Sequence, residues 1–432
     1  MLALLLAAEP LAQPVAPLTQ EHGEAELPTT YPHAPAEDSS DVWFDDTYDQ
    51  HGIPPGACDW TLGCTPCRDS RFNRSVILGR LWTNFEILGW ATKGSDVSPL
   101  VTSSPVNPLT PVASAGVLGL ATTDVLFGNE SVHDELRPGD RLTIGFNWQQ
   151  GCPGGVEGYY FGLDGFSERF TAVAVDGEGI LARPIVNEDT GLNDSVLVAF
   201  PGLLDGAIEI ALDMHFSGAG ILLRQTVCGD CCQRTDFLVG YRHARLSDSL
   251  RVSETLLSLD AASGFDAGDL NGRFDNFQAI NHFHGAEFGI ESRMLRGNFV
   301  MVGLAKAAIG ASHKSLTIAG ETLIDDGTTV TSFDGGVLAL PSNSGRFSTQ
   351  DFGAMGEVGL SVEWQPWNTM RLSLGYSWLY WSDVLRAPEQ IDTRIDRDQL
   401  VPTFGPGSRP EAFLRDTSFW AHGLTGGIRI DF

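Results

Sequence analysis

Two histidines, His282 and His284, flank Phe283. A spacing of two along a strand places both side chains on one face. Such imidazoles could hold a metal ion or relay a proton. Glu287 falls on the opposite face and no third ligand follows from sequence, so the pair reads as polar loop or lumen histidines. A hydrolase built into a barrel needs a histidine, a nucleophilic serine and an orienting group in one lumen or wall. His422 alternates in phase with Trp420 and Leu424 on an apolar face, which makes it a poor base. No catalytic residue is expected, and the chain reads as a non-enzyme.

Asp266, Asp269, Asn271, Gly272 and Asp275 form an oxygen-rich stretch suggestive of a calcium loop. It lacks EF-hand spacing and a closing glutamate, so a solvated outer loop is the expectation. Seven cysteines fall as Cys58, Cys64 and Cys67, then Cys152, then Cys228, Cys231 and Cys232. Cys64 and Cys67 have C-x-x-C spacing, but no histidine follows Cys67 as covalent haem attachment would require. Zinc-finger spacing is also missing. Disulfides lead over free thiols and a metal site, and the odd count leaves at least one thiol unpaired. No cofactor or metal is expected.

The remaining candidates are charged residues that alternate with apolar ones. In the last third of the chain Phe352, Ala354, Gly356, Val358, Leu360, Val362 and Trp364 alternate with a set that includes Asp351, Glu357, Ser361 and Glu363. Met370, Leu372, Leu374, Tyr376, Trp378 and Tyr380 alternate with Arg371, Ser373, Gly375 and Ser377. Trp420, Leu424, Ile428, Ile430 and Phe432 share a face opposite Thr425, Arg429 and Asp431. A period of two is a strand, because a helix repeats near 3.6. Upstream, Leu81, Phe85 and Ile87 interleave with Arg80, Asn84 and Glu86, and Leu142, Ile144 and Phe146 with Arg141 and Thr143. Ile208, Ile210, Leu212, Met214 and Phe216 alternate with Glu209, Asp213 and His215.

If the apolar faces meet lipid, the charged positions line a lumen: Arg80, Glu86, Arg141, Glu209, Asp213, Glu357, Glu363, Arg371 and Arg429. Acids in rings favour cations. Interleaved arginines offset them, so the expectation is a weak cation preference at best.

The bulk composition agrees with a barrel. The longest apolar run, Met1 to Ala8, is far short of the roughly 20 residues of a spanning helix. A chain of this kind can cross a membrane only as a closed barrel. The 55 acids against 27 bases, net −28, argue against nucleic acid as a partner. They also argue against docking on anionic lipid. Solubility alone could account for the excess; an acidic lumen or acidic outer loops are the sharper reading.

Residues 1–12 resemble a secretory-signal remnant without its positive start. Residues 13–70 read as a disordered or cysteine-containing periplasmic leader, and 71–432 as the barrel. Connections alternate long and short: about 35 residues after Trp381, a tight turn at 365–368, a long loop at 314–350, a tight turn near Arg296-Gly297, and a long loop at 247–281. Gly218 reads as one more short turn. Long outer loops and short periplasmic turns are the habit of transmembrane barrels. The expected fold is all-β, a transmembrane antiparallel up-and-down barrel of about fourteen strands, with twelve to sixteen as the range.

The order of several short segments then becomes familiar. They are Leu81-Trp82, Trp90 to Gly94, Leu100 to Pro105, Thr123 to Gly128, Arg141 to Gly145, Leu238 to Arg242, Asn281 with Phe283 to Gly285, Gly375 to Trp381, Gln390-Ile391-Asp392, Phe419 to Leu424, and the terminal Phe432. Across roughly 70–432 the chain resembles a planctomycetal family of outer-membrane β-barrel proteins, also called beta-barrel porins. The resemblance implies an outer-membrane location and a barrel, with outer-membrane lipid and the barrel assembly machinery as partners, and it offers no catalytic residue to carry over. It also makes Phe432, with Trp420, Ile428 and Ile430 on its strand, the expected assembly signal.

The functional expectation is a porin-like channel for passive diffusion of small hydrophilic solutes or ions. Its rival is a structural or surface-interaction barrel with a plugged lumen and binding outer loops. The segment 91–119 could fold inward or lie outside. Oligomeric state is open, a trimer being one option.

Overall fold

The computed structural model describes residues 81–106, 110–148, 154–229, 232–367, 369–400 and 405–432. The expected signal and leader, with Arg80, lie outside the described residues. Of the seven cysteines only Cys232 has a described side chain, and it is disulfide-bonded.

Ten strands form the wall: β1 (Leu81–Thr92), β2 (Leu136–Trp148), β3 (Gly154–Ala174), β4 (Leu204–Gly229), β5 (Gln233–Ser258), β6 (Leu270–Arg296), β7 (Phe299–Asp325), β8 (Gly345–Trp367), β9 (Met370–Leu385) and β10 (Asp416–Asp431). Each pairs antiparallel with its sequence neighbours. The ladder closes where β1 meets β10, from Trp82 opposite Asp431 to Thr92 opposite Ala421. Closure removes the edges over the height that all ten strands share.

The expected all-β, up-and-down barrel is therefore present, but with ten wall strands rather than fourteen. The difference lies in β4 to β7, which run 26, 26, 27 and 27 residues. At about 3.3 Å per residue these span roughly 85–90 Å, far more than a tilted crossing needs. Gly218 sits mid-strand in β4, opposite Ala244, and makes no turn. The expected loops at 247–281 and 314–350 shrink to 259–269 and 326–344, because their flanks continue the wall.

Those flanks were unreadable as wall because their polarity inverts with height. Near the short turns, β4 turns Ala219, Ile221, Leu223 and Val227 outward. Further up it turns Glu209, Asp213 and His215 outward and buries Ile208, Ile210, Leu212, Met214 and Phe216. β7 repeats the change: outward positions from Phe299 to Ala311 are apolar or small, then come His313, Ser315 and Thr317. The apolar stretch covers roughly 40 Å of strand, or about 28 Å of height at a 45° tilt, which is the thickness of hydrocarbon. Trp148, Trp364 and Trp367 stand exposed at its short-turn edge, as in an interface girdle.

The wall is uneven, since β1, β2, β9 and β10 have only 12 to 16 residues. Long connections leave these short strands and fold back against the tall wall. Three connections share one small sheet. Its hub, Leu181–Asn187, pairs with Asn193–Ala199, Val101–Ser103 and, in parallel, Arg394–Ile395; Val101–Ser103 also pairs with Asp124–Phe127. Leu100, Val101, Ile185 and Val198 from these connections share an apolar core with Ile208, Leu250, Phe277 and Leu316 of the wall. Within the segment 91–119, Val97, Leu100 and Val101 thus pack inward, whereas Val112 is exposed.

Candidate functional site: the barrel lumen

Alternation decides what the lumen contains, because every second wall residue points into it. Side chains fill it in three successive storeys.

The storey nearest the short turns is ionic. Glu357 of β8 receives Arg141 at 2.9 Å, Arg242 at 3.0 Å and Lys306 at 3.0 Å. Glu287 of β6 bonds Arg242 at 2.9 Å and accepts the Tyr159 hydroxyl at 2.7 Å. Closer to the mouth, Arg224 reaches Glu157, Asp236 and Glu291 at 2.7–2.8 Å. Arg293 bridges Glu291 and Glu363, and Arg429 pairs with Asp431 while lying over the Trp82 ring at 3.9 Å.

The cations are Arg141, Arg224, Arg234, Arg242, Arg293, Lys306, Arg371 and Arg429. The anions are Glu86, Glu157, Asp236, Glu287, Glu291, Glu357, Glu363 and Asp431. Among the described residues their formal charges cancel. Such a network adds little net stability over an apolar filling, yet removing one member strands a buried charge at about 3–5 kcal/mol. A cavity of about 950 Å³, counting its solvent-open volume, lies among these groups.

The middle storey is aromatic. Trp90, Phe161, Phe216, Phe283, Trp381 and Phe419 are fully buried and join Leu88, Met214, Leu246 and Met355 in one cluster. Ring centroids lie 6.0 Å apart for Trp90–Phe161, 5.3 Å for Phe161–Phe216, 4.8 Å for Phe216–Phe419 and 6.1 Å for Phe283–Trp381. They come from β1, β3, β4, β6, β9 and β10, so the layer spans the lumen rather than coating one side.

Above it the folded-in connections are anchored by polar wall residues. Asn281 donates to the Leu385 carbonyl at 2.9 Å and accepts the Leu385 N–H at 2.7 Å. Asp275 accepts the N–H groups of Val337, Leu338 and Ala339 at 2.9, 3.0 and 2.8 Å. Arg183 bonds Glu254 and Asp275, and Arg386 bonds Asp248 at 2.6 Å. Beside Asp248 lies His133, 3.8 Å away, with Arg137 bonded to its ring. Burial pulls the His133 imidazole down to about 4, against the opposing pull of Asp248.

Of the expected lumen residues, Glu86, Arg141, Glu357, Glu363, Arg371 and Arg429 do face inward. Glu209 and Asp213 do not. They point outward from the upper half of β4, opposite the face that packs Ile208, Ile210 and Leu212 inside. Sequence reasoning missed Arg224, Arg242, Glu287, Glu291, Arg293 and Lys306. The signal was there for Arg242, Glu287 and Glu291, which stand out of phase with the apolar faces of Phe237, Val239 and Tyr241 and of Ala286, Phe288 and Ile290. The calcium-like stretch is divided: Asp266 and Asp269 lie in the β5–β6 connection, whereas Asp275 is an inward anchor on β6.

A family model described as "Putative beta barrel porin-7 (BBP7)" matches residues 82–432. The chain belongs to that family. The match covers essentially the whole closed wall and every connection of this BBP7 barrel. Among solved structures, the outer membrane protease OmpT from Escherichia coli is similar at 9% identity and TM-score 0.41, over 84% of this chain and 100% of that one. The P. putida toluene transporter TodX is similar at 7% identity and TM-score 0.19, over 84% and 91%. A search of curated proteins gives no match.

Proposed function

We propose that this chain is an outer-membrane barrel that does not pass solutes, and that it serves as an anchored wall presenting its long-connection end as an interaction surface. The exposed apolar belt, of hydrocarbon height and edged by tryptophans, supports a membrane position. The BBP7 family supports the outer membrane in particular. Phe432, just past the last strand, is exposed, and its N–H bonds the Leu81 carbonyl at 3.0 Å.

One observation carries the reading: a layer of buried aromatic and aliphatic side chains from six wall strands lies across the lumen beneath a cap of folded-in connections. A diffusion pore needs a water-lined path, and fully buried side chains at this height argue against one. The ionic storey beneath is a vestibule.

Conductance of the refolded protein in planar bilayers tests this. A silent bilayer is expected at protein loads where a known porin gives steps. Discrete steps would overturn the plugged reading and restore passive diffusion. Their reversal potential should then lie near zero, because the charges of the ionic storey cancel.

A further inference from the structure

His282 and His284, expected in a loop or the lumen, lie in neither. Both point outward from β6, and a third imidazole meets them there. His243 of β5 stands directly opposite His284 in the ladder. Ring centroids are 4.6 Å apart for His243–His284, 5.8 Å for His243–His282 and 6.4 Å for His282–His284. One ring nitrogen from each residue can be chosen so that all three lie within 4.8 Å of one another.

We propose that His243, His282 and His284 form a binding site for a divalent transition-metal ion of the zinc or copper type on the outer surface of the wall, at the upper edge of the apolar belt. Nitrogens bound to zinc at 2.0–2.1 Å in tetrahedral geometry stand roughly 3.3 Å apart. Small side-chain rotations on partly exposed residues close the remaining gap.

The surroundings set the tautomer of His243. Nδ1 of His243 lies 3.0 Å from the Phe283 carbonyl, which can only accept, so Nδ1 carries the proton and Nε2 keeps its lone pair. Nδ1 of His284 lies 2.5 Å from the Tyr241 hydroxyl, which leaves its Nε2 for an ion once Nδ1–H donates. Bonds of this kind orient metal-ligating histidines elsewhere.

The donor set names the ion class. Three neutral imidazoles suit zinc, copper or nickel, whereas calcium and magnesium demand oxygen ligands. Arg245, opposite His282 in the ladder, repels any cation, so moderate affinity is expected. His313 stands opposite His282 on β7, with its ring 6.1 Å from that of His284, and is an outer neighbour.

The test uses untagged, refolded full-length protein in detergent, titrated with copper(II) and read by electron paramagnetic resonance, with zinc(II) calorimetry in parallel. One ion per barrel with nitrogen hyperfine structure is expected. His282→Ala and His243→Ala should each weaken binding by about tenfold or more, Tyr241→Phe by about tenfold, and His313→Ala by less than about threefold. These side chains lie outside the packed lumen, so the variants should keep the wild-type circular dichroism and heat-modifiable migration. Absence of stoichiometric binding would overturn the proposal. So would binding that persists in the His243→Ala/His282→Ala double variant, which would place the ion elsewhere on the chain. Neither outcome bears on conductance, so this site and the plugged lumen stand or fall separately.

Discussion

At the scale of a residue, His133 shows what the cap demands of its polar groups. It sits buried against Asp248, Arg137 and Arg386, and burial holds its imidazole neutral down to about pH 4. An unfolded histidine titrates near 6.5. Between those values the unfolded chain takes up a proton that the folded chain refuses, so stability falls as pH drops through this window and levels off below about 4. The full shift is worth about 3 kcal/mol. Urea unfolding followed by tryptophan fluorescence at pH 7.5 and pH 4.5 should show a larger loss of midpoint in the wild type than in His133→Gln. Equal losses would remove His133 as the cause. Little of this was legible beforehand. Asp248 and Arg386, which meet at this histidine, are 138 residues apart in the chain, and no local pattern links them.

At the scale of an element, the aromatic layer makes the strongest claim on stability. Trp381 is completely buried among Phe283, Met355 and Phe419. Trp381→Ala should cost about 3–5 kcal/mol, the usual loss for a large core aromatic whose cavity cannot collapse. A rigid wall leaves little room for collapse. Urea unfolding measures the loss, and a change below about 1 kcal/mol would mean a loosely filled layer. The bilayer should stay silent in this variant, because the cap still closes the lumen above.

Sequence alternation exposed β8, β9 and β10 correctly, faces included, since those strands keep apolar residues outside over most of their length. It failed on β4, where the same period was present with the faces exchanged, so that Glu209 and Asp213 were assigned to the lumen. Period two fixes that a strand has two faces. Which face is wet depends on height above the membrane, and height is a property of the assembled wall. In β3 a one-residue bulge opposite Met214–Phe216 also shifts the phase mid-strand.

At the scale of the molecule, the charge distribution narrows the meaning of the acidic composition. The ionic storey is neutral in sum, so the net −28 resides in the rest of the chain, where it favours solubility over selectivity. The polarity inversion then fixes where a membrane can sit. Hydrocarbon can cover the outward faces of Met301 and Ile309 on β7, and it cannot cover Ser315 and Thr317 a few residues later without burying polar side chains unpaired. Nitroxide labels at these four outward positions, in refolded protein in lipid vesicles, should divide sharply. Those at 301 and 309 should collide mainly with oxygen, and those at 315 and 317 mainly with a water-soluble nickel chelate. A label at 317 that reports hydrocarbon would raise the boundary above the histidines and into the cap storey. Water at all four positions would deny the wall its membrane altogether. The boundary expected here passes at His313, in register with His282, while His243 and His284 align with Ala311 at the upper edge of the apolar belt. The depth profile therefore also decides whether those imidazoles can meet an aqueous ion.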